Sequence, residues 1–238
     1  MGKGAWSDPC VERMVRVRYR DDQLNFFKFT DIVTDDFPKA LRETFRRMWD
    51  RKFGSVWQLW DDSEAVRKLF RAEERRRTKK KVPKVPEVPT HQSYEEWDCT
   101  ALFQATIFAQ SFALPDSKGH DKTLSELYVK RLPHGTFHAS VVSSGGDYYE
   151  TVALAIDQLR LLRNSVCHSA KGEMSKPTFN QYLQLVKDAF KALGLKTDKI
   201  DAISSEVGFP TREVAKLKRK IQNRNMAIVG LGIGVGLL

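Results

Sequence analysis

The chain has 238 residues, of which 41% are hydrophobic, 11% aromatic and 29% charged, a composition typical of globular proteins and not of disordered or collagen-like chains. Its length can bury a sizeable core without disulfides, and its three cysteines lack C-x-x-C spacing, which argues against a disulfide framework and a four-cysteine zinc site. The formal net charge is +10, but residues 1–93 carry +7, residues 94–210 carry −2 and residues 211–238 carry +5. We therefore expect a folded protein of a reducing compartment, with its basic charge concentrated towards both ends and not spread over one uniform surface.

Apolar residues recur at intervals of three and four along most of the chain, which is the spacing of amphipathic helices. In chain order, this spacing predicts helices from about residue 21, over 36–54, 62–77, 93–114, 123–130, 148–170 and 176–194, and from 211 onwards. Asp36 is the expected N-cap of the second helix, and Asp62 or Ser63 that of the third. Ser93 with Glu96 has the spacing of a capping box, and Asp147 with Glu150 occupies capping positions at the start of the helix 148–170. No segment alternates as a strand would. We predict an all-α fold, a helical bundle with long insertions between helices and a basic C-terminal helix.

Two predicted insertions interrupt the bundle, at 71–92 and at 115–146. Residues 71–84 contain eight basic and two acidic residues, and prolines recur at every third position at 83, 86 and 89. Such a segment resembles an extended polyproline-like connector. It is either a solvated linker or an arm that contacts phosphates or directs nuclear import. The candidate RNA-binding residues are Arg75, Arg76, Arg77, Lys79, Lys80 and Lys81.

The two ends of the chain are predicted to lie outside the main domain. Residues 1–19 form a lead without the features of a secretory signal, residues 196–225 a basic helical extension, and residues 226–238 a hydrophobic tail. The thirteen residues of this tail span only about 20 Å as a helix, against a hydrocarbon core of roughly 30 Å. The tail is therefore either a buried terminal segment or part of a longer hydrophobic segment, and membrane attachment through it is the weakest interpretation.

The predicted helix 148–170 carries two apolar strips instead of one. Its core strip contains Val152, Ile156, Leu159 and Val166. At about 100° per residue, Leu154 and Leu161 lie beside Asn164 and His168 on another side. A surface helix needs only one apolar strip, so the second strip predicts a further packing partner, and we expect a homodimer through Leu154 and Leu161.

The segment RNSVCH at 163–168 fits the R-x(4–6)-H motif, with a polar residue after the arginine, of the HEPN superfamily. The surrounding sequence resembles the branch found in the DAZ-interacting, RNA-binding type of zinc-finger ubiquitin ligase. LNFFKFTDIVTDDFPKALRETF is similar to the opening helices of that branch, and YEEWDCTALFQATIF to its middle helix. AIDQLRLLRNSVCHS followed by FNQYLQLVKDAFKALG resembles its last two helices. The resemblance covers about residues 20–195, with 71–92 and 115–146 as insertions.

Active HEPN proteins are metal-independent endoribonucleases that act as dimers, so the resemblance implies a catalytic set of Arg163, Asn164 and His168 without metal or cofactor. His168 would move a proton between a ribose 2′-hydroxyl and the leaving oxygen, a role suited to an imidazole. Arg163 would neutralise the phosphate oxygens in the transition state, and Asn164 would orient the phosphate or the histidine.

The sequence leaves two classes of function open. The first is an RNA-engaging domain that binds single-stranded RNA as a homodimer, with or without cleavage. The second is a non-catalytic dimerisation or interaction module of a larger innate-immune or signalling protein, with further protein partners. We expect a cytoplasmic protein, with nuclear import through the basic run at 75–81 as the alternative.

Overall fold

The computed structural model describes residues 19–78, 88–133, 135–167 and 171–205. Within these ranges the α-helices are α1 (Asp21–Asp31), α2 (Phe37–Phe53), α3 (Glu64–Arg77), α4 (Cys99–Ala105), α5 (Leu124–Tyr128), α6 (Tyr148–Cys167), α7 (Lys176–Ala192) and α8 (Asp198–Ser205). The two-residue strands β1 (Leu114–Pro115) and β2 (Asp121–Lys122) pair antiparallel, with Leu114 opposite Lys122. The predicted all-α class is confirmed.

A π-helical segment, Ile32–Asp36, joins α1 and α2 into one continuous helix, so the predicted helix start at Asp36 was wrong. The amide of Phe37 bonds to the carbonyl of Ile32, five residues earlier. Pro38 follows at once, and proline has no amide hydrogen for the carbonyl four residues before it. A widened turn accommodates this position. The buried carboxylate of Asp36 therefore caps nothing and instead lies 2.6 Å from Lys199 Nζ.

The single long helix predicted over 93–114 was also wrong, because the chain breaks there into three short pieces. A 3₁₀ turn, Tyr94–Glu96, comes first, with the Ser93 hydroxyl accepting from the amide of Glu95. Asp98 then caps α4 by accepting from the amide of Ala101 at 2.8 Å. A second 3₁₀ turn, Gln110–Phe112, follows α4. The apolar spacing that resembles one long helix arises from short pieces that all face the same core.

Phe45 is at the centre of an aromatic cluster in the core. Its ring centroid lies between 4.6 and 6.0 Å from those of Trp60, Phe70, Trp97 and Phe112. The arrangements are mostly edge-to-face, which aromatic rings prefer over direct stacking. These rings come from α2, the segment between α2 and α3, α3, and the segments on both sides of α4, so the cluster joins parts of the chain that are distant in sequence.

On α6, the predicted core strip of Val152, Ile156, Leu159 and Val166 is buried, as predicted. α6 packs most extensively against α7, whose buried face contains Phe179, Leu183, Val186 and Phe190, and α5 also packs against α6. α6 therefore has α7 and α5 as packing partners.

Several predicted segments lie outside the described residues: the lead 1–18, most of the basic extension with the helix from 211, and the hydrophobic tail 226–238. α8 occupies the start of the predicted extension. In the described part of the chain, no helix combines the length and the apolar character needed to cross a bilayer.

Candidate functional site

The start of α6 is fixed by Asp147, in agreement with the predicted cap. The carboxylate of Asp147 accepts from the amides of Tyr149 and Glu150 at 2.7 and 3.0 Å. From this start the helix runs without a break to Cys167, so Arg163 and Asn164 lie near its C-terminal end. His168, the third predicted catalytic residue, lies outside the described residues.

The Arg163 side chain is half-buried and extends towards α4. One terminal nitrogen donates to the Thr100 hydroxyl at 3.3 Å, and the other donates to Asn164 Oδ1 at 3.2 Å. Its Nε is buried and has no hydrogen-bond partner among the described residues. The guanidinium therefore holds the amide of Asn164 in one orientation. The predicted meeting of Arg163 with His168 is not tested, because His168 lies outside the described part of the chain.

Asn164 and Leu161 line an open cleft of about 530 Å³ at the end of α6. The opposite wall is formed by Ser125 of α5 and by residues 129–133, 135 and 136. The described lining residues are Phe108, Ser125, Val129, Lys130, Arg131, Leu132, Pro133, Gly135, Thr136, Arg160, Leu161, Asn164 and Ser165. Three of these are cationic and none carries a carboxylate. The cleft thus combines basic side chains with apolar surface, an arrangement suited to a ligand that has both an anionic group and a ring.

A buried carboxylate on α6 connects the two walls of this cleft. Asp157 is only 1% exposed, and its two oxygens lie 2.7 Å from Arg160 Nε and 2.8 Å from His138 Nε2. The backbone amide of His138 donates to Gln158 Oε1 at 2.9 Å. His138 therefore attaches the segment after the cleft wall to α6, at the point where Asp157 also orients Arg160.

Sequence analysis did not identify this network, although the sequence contains a signal for it. Asp157 lies between Ile156 and Leu159, inside the core strip of α6. A carboxylate is almost never buried unless it is paired, so its position predicts a cationic partner. Arg160 is available three residues later on the same helix. The second partner, His138, comes from an irregular segment whose path cannot be read from periodicity.

The second apolar strip of α6 is partly covered within the chain. Leu154 is half-buried and packs against the core, and Leu161 lines the cleft near Ser125 and Val129. α5 therefore supplies a packing partner for α6, the role that the sequence analysis assigned to a second copy of the chain. Dimerisation through Leu154 and Leu161 stays a prediction.

The basic residues at the end of α3 are engaged in ion pairs. Arg76 Nε and Arg77 Nε lie 2.8 and 2.5 Å from the carboxylate of Glu73, which is only 5% exposed. The hydrogen bond from Arg76, followed by that from Arg77, lowers the pKa of Glu73 in spite of its burial. Arg77 also lies 3.5 Å from Asp121. Of the candidate RNA-binding residues, Arg75, Arg76 and Arg77 end α3, whereas Lys79, Lys80 and Lys81 lie outside the described residues.

The described residues bring together no group of three His, Cys, Asp or Glu side chains able to hold a metal ion. The features on which a function can be based are therefore the cleft and the Asp157 network beside it. Scans against protein-family models, curated proteins and solved structures gave no match to this chain.

Proposed function

We propose that this chain is a HEPN-like RNA-binding domain that takes single-stranded RNA into the cleft at the end of α6. The observation that supports the proposal is the cleft lining, where Lys130, Arg131 and Arg160 occur without any carboxylate among the described lining residues. Lysine and arginine contacts to phosphates provide most of the sequence-independent affinity for nucleic acids. This local concentration of positive charge contrasts with the slightly acidic balance of residues 94–210.

The size and the apolar side of the cleft favour an unpaired nucleotide over a duplex. An opening of about 530 Å³ is in the range of small-ligand pockets. Phe108, Val129 and Leu161 offer apolar surface to a base, and Ser125, Asn164 and Ser165 offer hydrogen bonds to its edges. Bases are accessible in this way only where the RNA is unpaired.

The contacts of Arg163 favour RNA binding over RNA cleavage as the function of this site. Both terminal nitrogens of Arg163 have partners within the chain, Thr100 and Asn164, and the residue does not line the cleft. For the cleavage that the RNSVCH motif implies, the terminal nitrogens of Arg163 have to exchange Thr100 and Asn164 for phosphate oxygens. Without that rearrangement, the chain acts as the non-catalytic module of the alternative hypothesis.

The binding proposal is tested by fluorescence anisotropy with a labelled single-stranded RNA, at several salt concentrations and without divalent metal. We expect the double variant Lys130→Ala/Arg131→Ala to bind about tenfold more weakly or worse, with a shallower dependence on salt because fewer counterions are released. A charge-matched control is Arg46→Ala/Lys68→Ala, whose exposed side chains pair with Glu43 and Glu64 outside the cleft. Equal losses in the two double variants would contradict a binding site in the cleft.

Cleavage is tested with the same RNA in the presence of a chelator, with wild type beside His168→Ala and a sizing measurement on both. Cutting by wild type that is lost in the variant, with the oligomeric state unchanged, would support the endoribonuclease. Equal cutting by both proteins would identify a contaminating nuclease. RNA binding without cutting would support the non-catalytic form.

A further inference from the structure

We infer that Arg160 is the residue that binds an RNA phosphate in the cleft, and that Asp157 and His138 are positioning residues that hold Arg160 and the opposite wall in place. This inference rests on the proposed function. The ligand group is a phosphate of single-stranded RNA, and neither the RNSVCH motif nor the basic run at 75–81 contains any of these three residues.

The geometry of Arg160 leaves one edge of its guanidinium available. Arg160 lies one helical turn before Asn164, so both project from the same side of α6 and both line the cleft. Its Nε bonds to Asp157, and no described residue other than Asp157 accepts a hydrogen bond from it. Because the guanidinium is planar, the Nε bond fixes its plane and leaves the two terminal nitrogens free for bidentate contact with phosphate oxygens.

Asp157 makes this arrangement rigid because its charge is buried. A carboxylate removed from water is costly unless it is fully paired, so both of its oxygens keep their partners, Arg160 and His138. The exposed fraction of the Arg160 side chain is 30%. The guanidinium is therefore oriented before any ligand arrives, which reduces the entropy lost on binding.

His138 links this orientation to the shape of the cleft. The segment that bonds to Asp157 and Gln158 through His138 also contributes Thr136 to the cleft lining, two residues earlier. Loss of the His138 bonds would let the part of this wall around Thr136 move away from α6, while Lys130, Arg131 and Arg160 keep their charges in the cleft. Asp157 thus has two effects, on the direction of Arg160 and on the width of the opening.

The other basic residues near the end of α6 are less suited to this role. Arg163 has Thr100 and Asn164 as partners and does not line the cleft. Lys130 contributes a single point charge, which cannot make the paired contact of an arginine fork. Arg131 lines the cleft, but no carboxylate among the described residues orients its guanidinium. Arg160 alone combines a place in the cleft with a bond to a buried carboxylate among the described residues.

The test measures RNA affinity and its salt dependence for substitutions of Arg160. We expect Arg160→Gln to weaken binding about tenfold and to lower the salt slope by about one, because one phosphate contact is lost. Arg160→Lys should keep the slope while binding several-fold more weakly, since the charge remains but the fork is lost. Wild-type affinity and slope in Arg160→Gln would overturn the inference while the binding proposal still stands.

The positioning role is tested by His138→Ala and His138→Gln. We expect the alanine variant to bind several-fold more weakly with an unchanged salt slope, and the glutamine variant to recover part of the affinity, because its amide can still donate to Asp157. A fall in the slope with His138→Ala would overturn the positioning role. Thermal unfolding of each variant checks that the fold is intact.

A measurement without RNA separates this inference from the proposed function. Hydrogen exchange in the peptide containing residues 135–147 should accelerate in His138→Ala, because the His138 amide is bonded to Gln158 in the wild type. Unchanged exchange would overturn the link between this segment and α6. If wild type binds no RNA but exchange accelerates, the link stands and the proposed function fails.

Discussion

Arg163 combines two hydrogen bonds with an unsatisfied buried donor. Its terminal nitrogens have partners, whereas its Nε has none among the described residues. Burial of a donor without a partner costs about 1–3 kcal/mol, and half-burial of a charge with no ionic partner among the described residues adds to that cost. Together these costs offset the two charge-assisted hydrogen bonds, which contribute about 1.5–3 kcal/mol each. The guanidinium therefore adds little net stability, and the reason for its presence is its hold on Asn164.

We accordingly predict that Arg163→Met changes the free energy of unfolding by less than about 1 kcal/mol. RNA affinity should fall about threefold, because the amide of Asn164 is then free to rotate. Urea unfolding and the anisotropy assay measure the two effects. A loss of stability above about 3 kcal/mol would mean that the guanidinium has a charged partner.

Lys52 is expected to make stability depend on pH in the alkaline range. Burial, reinforced by the charge of Arg77, lowers the pKa of Lys52 to about 8, and its ammonium donates to the carbonyl of Ala113 at 3.1 Å. Below pH 8 the lysine is protonated in both folded and unfolded chains, and stability does not change on its account. Between about 8 and its ordinary value of 10.5, the unfolded chain binds more protons, so stability rises with pH.

We predict that wild type gains about 1 kcal/mol relative to Lys52→Met between pH 8 and pH 10. One pKa unit corresponds to about 1.4 kcal/mol, and solvent screening of a half-buried group reduces that value. Urea unfolding of both proteins at the two pH values gives the difference and cancels the titration of other groups. If the free energy of unfolding changed equally in the two proteins between the two pH values, the lowered pKa of Lys52 would be contradicted.

At the scale of elements, α5 depends on its N-cap residue, Thr123. The Thr123 hydroxyl accepts from the amide of Glu126 at 3.2 Å, and the Glu126 carboxylate accepts from the amide of Thr123 at 2.8 Å. A five-residue helix is not stable by itself, so this capping box and the buried Leu124 hold it in place.

Thr123→Ala should therefore cost about 1 kcal/mol in the free energy of unfolding. RNA affinity should also fall, because α5 contributes Ser125 to the cleft wall. Thr123→Ser is the matched control, since serine keeps the accepting hydroxyl. If alanine and serine variants behaved alike in thermal unfolding, the cap would not be what stabilises α5.

The starts of α3 and α6 were predictable because a side chain provides the cap. Ser63 accepts from the amide of Val66 and Asp147 from that of Tyr149, as the sequence indicates. Asp36 has the same chemistry but lies inside a continuous helix, because the π segment lets the chain pass Pro38 without ending. A residue of a capping type thus predicts the start of a helix only where no helical turn comes directly before it.

For the molecule as a whole, the aromatic cluster around Phe45 is expected to contribute strongly to the free energy of unfolding. Phe45 is fully buried, and its neighbours come from four separate parts of the chain. We predict that Phe45→Ala lowers the free energy of unfolding by about 3–5 kcal/mol. Phe45→Leu, which leaves a smaller cavity, should lower it by less.

The measurement is urea unfolding, followed by near-UV and far-UV circular dichroism together. Coincident transitions are expected, because the described apolar residues form one contiguous core. A near-UV transition that precedes the far-UV one would indicate that the aromatic cluster unfolds as a separate unit.

The candidate site was predictable only in part, because one of its walls depends on the tertiary packing of the whole molecule. Leu161 and Asn164 were found because helical geometry places them on one side of α6, and both line the cleft. Lys130 and His138 come from the segment between α5 and α6, whose fold depends on contacts and not on periodicity. Local patterns therefore identified one wall of the cleft, and tertiary packing determined the other.

Four tryptophans, at 49, 57, 60 and 97, are gathered in or beside the aromatic cluster, and none lines the cleft. Trp57 is 39% exposed and stacks on Phe53 at 4.7 Å, while the other three indoles are buried. Iodide should therefore quench the emission of Trp57 before that of the others. Trp6, the fifth tryptophan, lies outside the described residues. In a Trp6→Phe variant, intrinsic emission thus reports the integrity of the core directly, and an extrinsic dye at the cleft is the complementary reporter of occupancy.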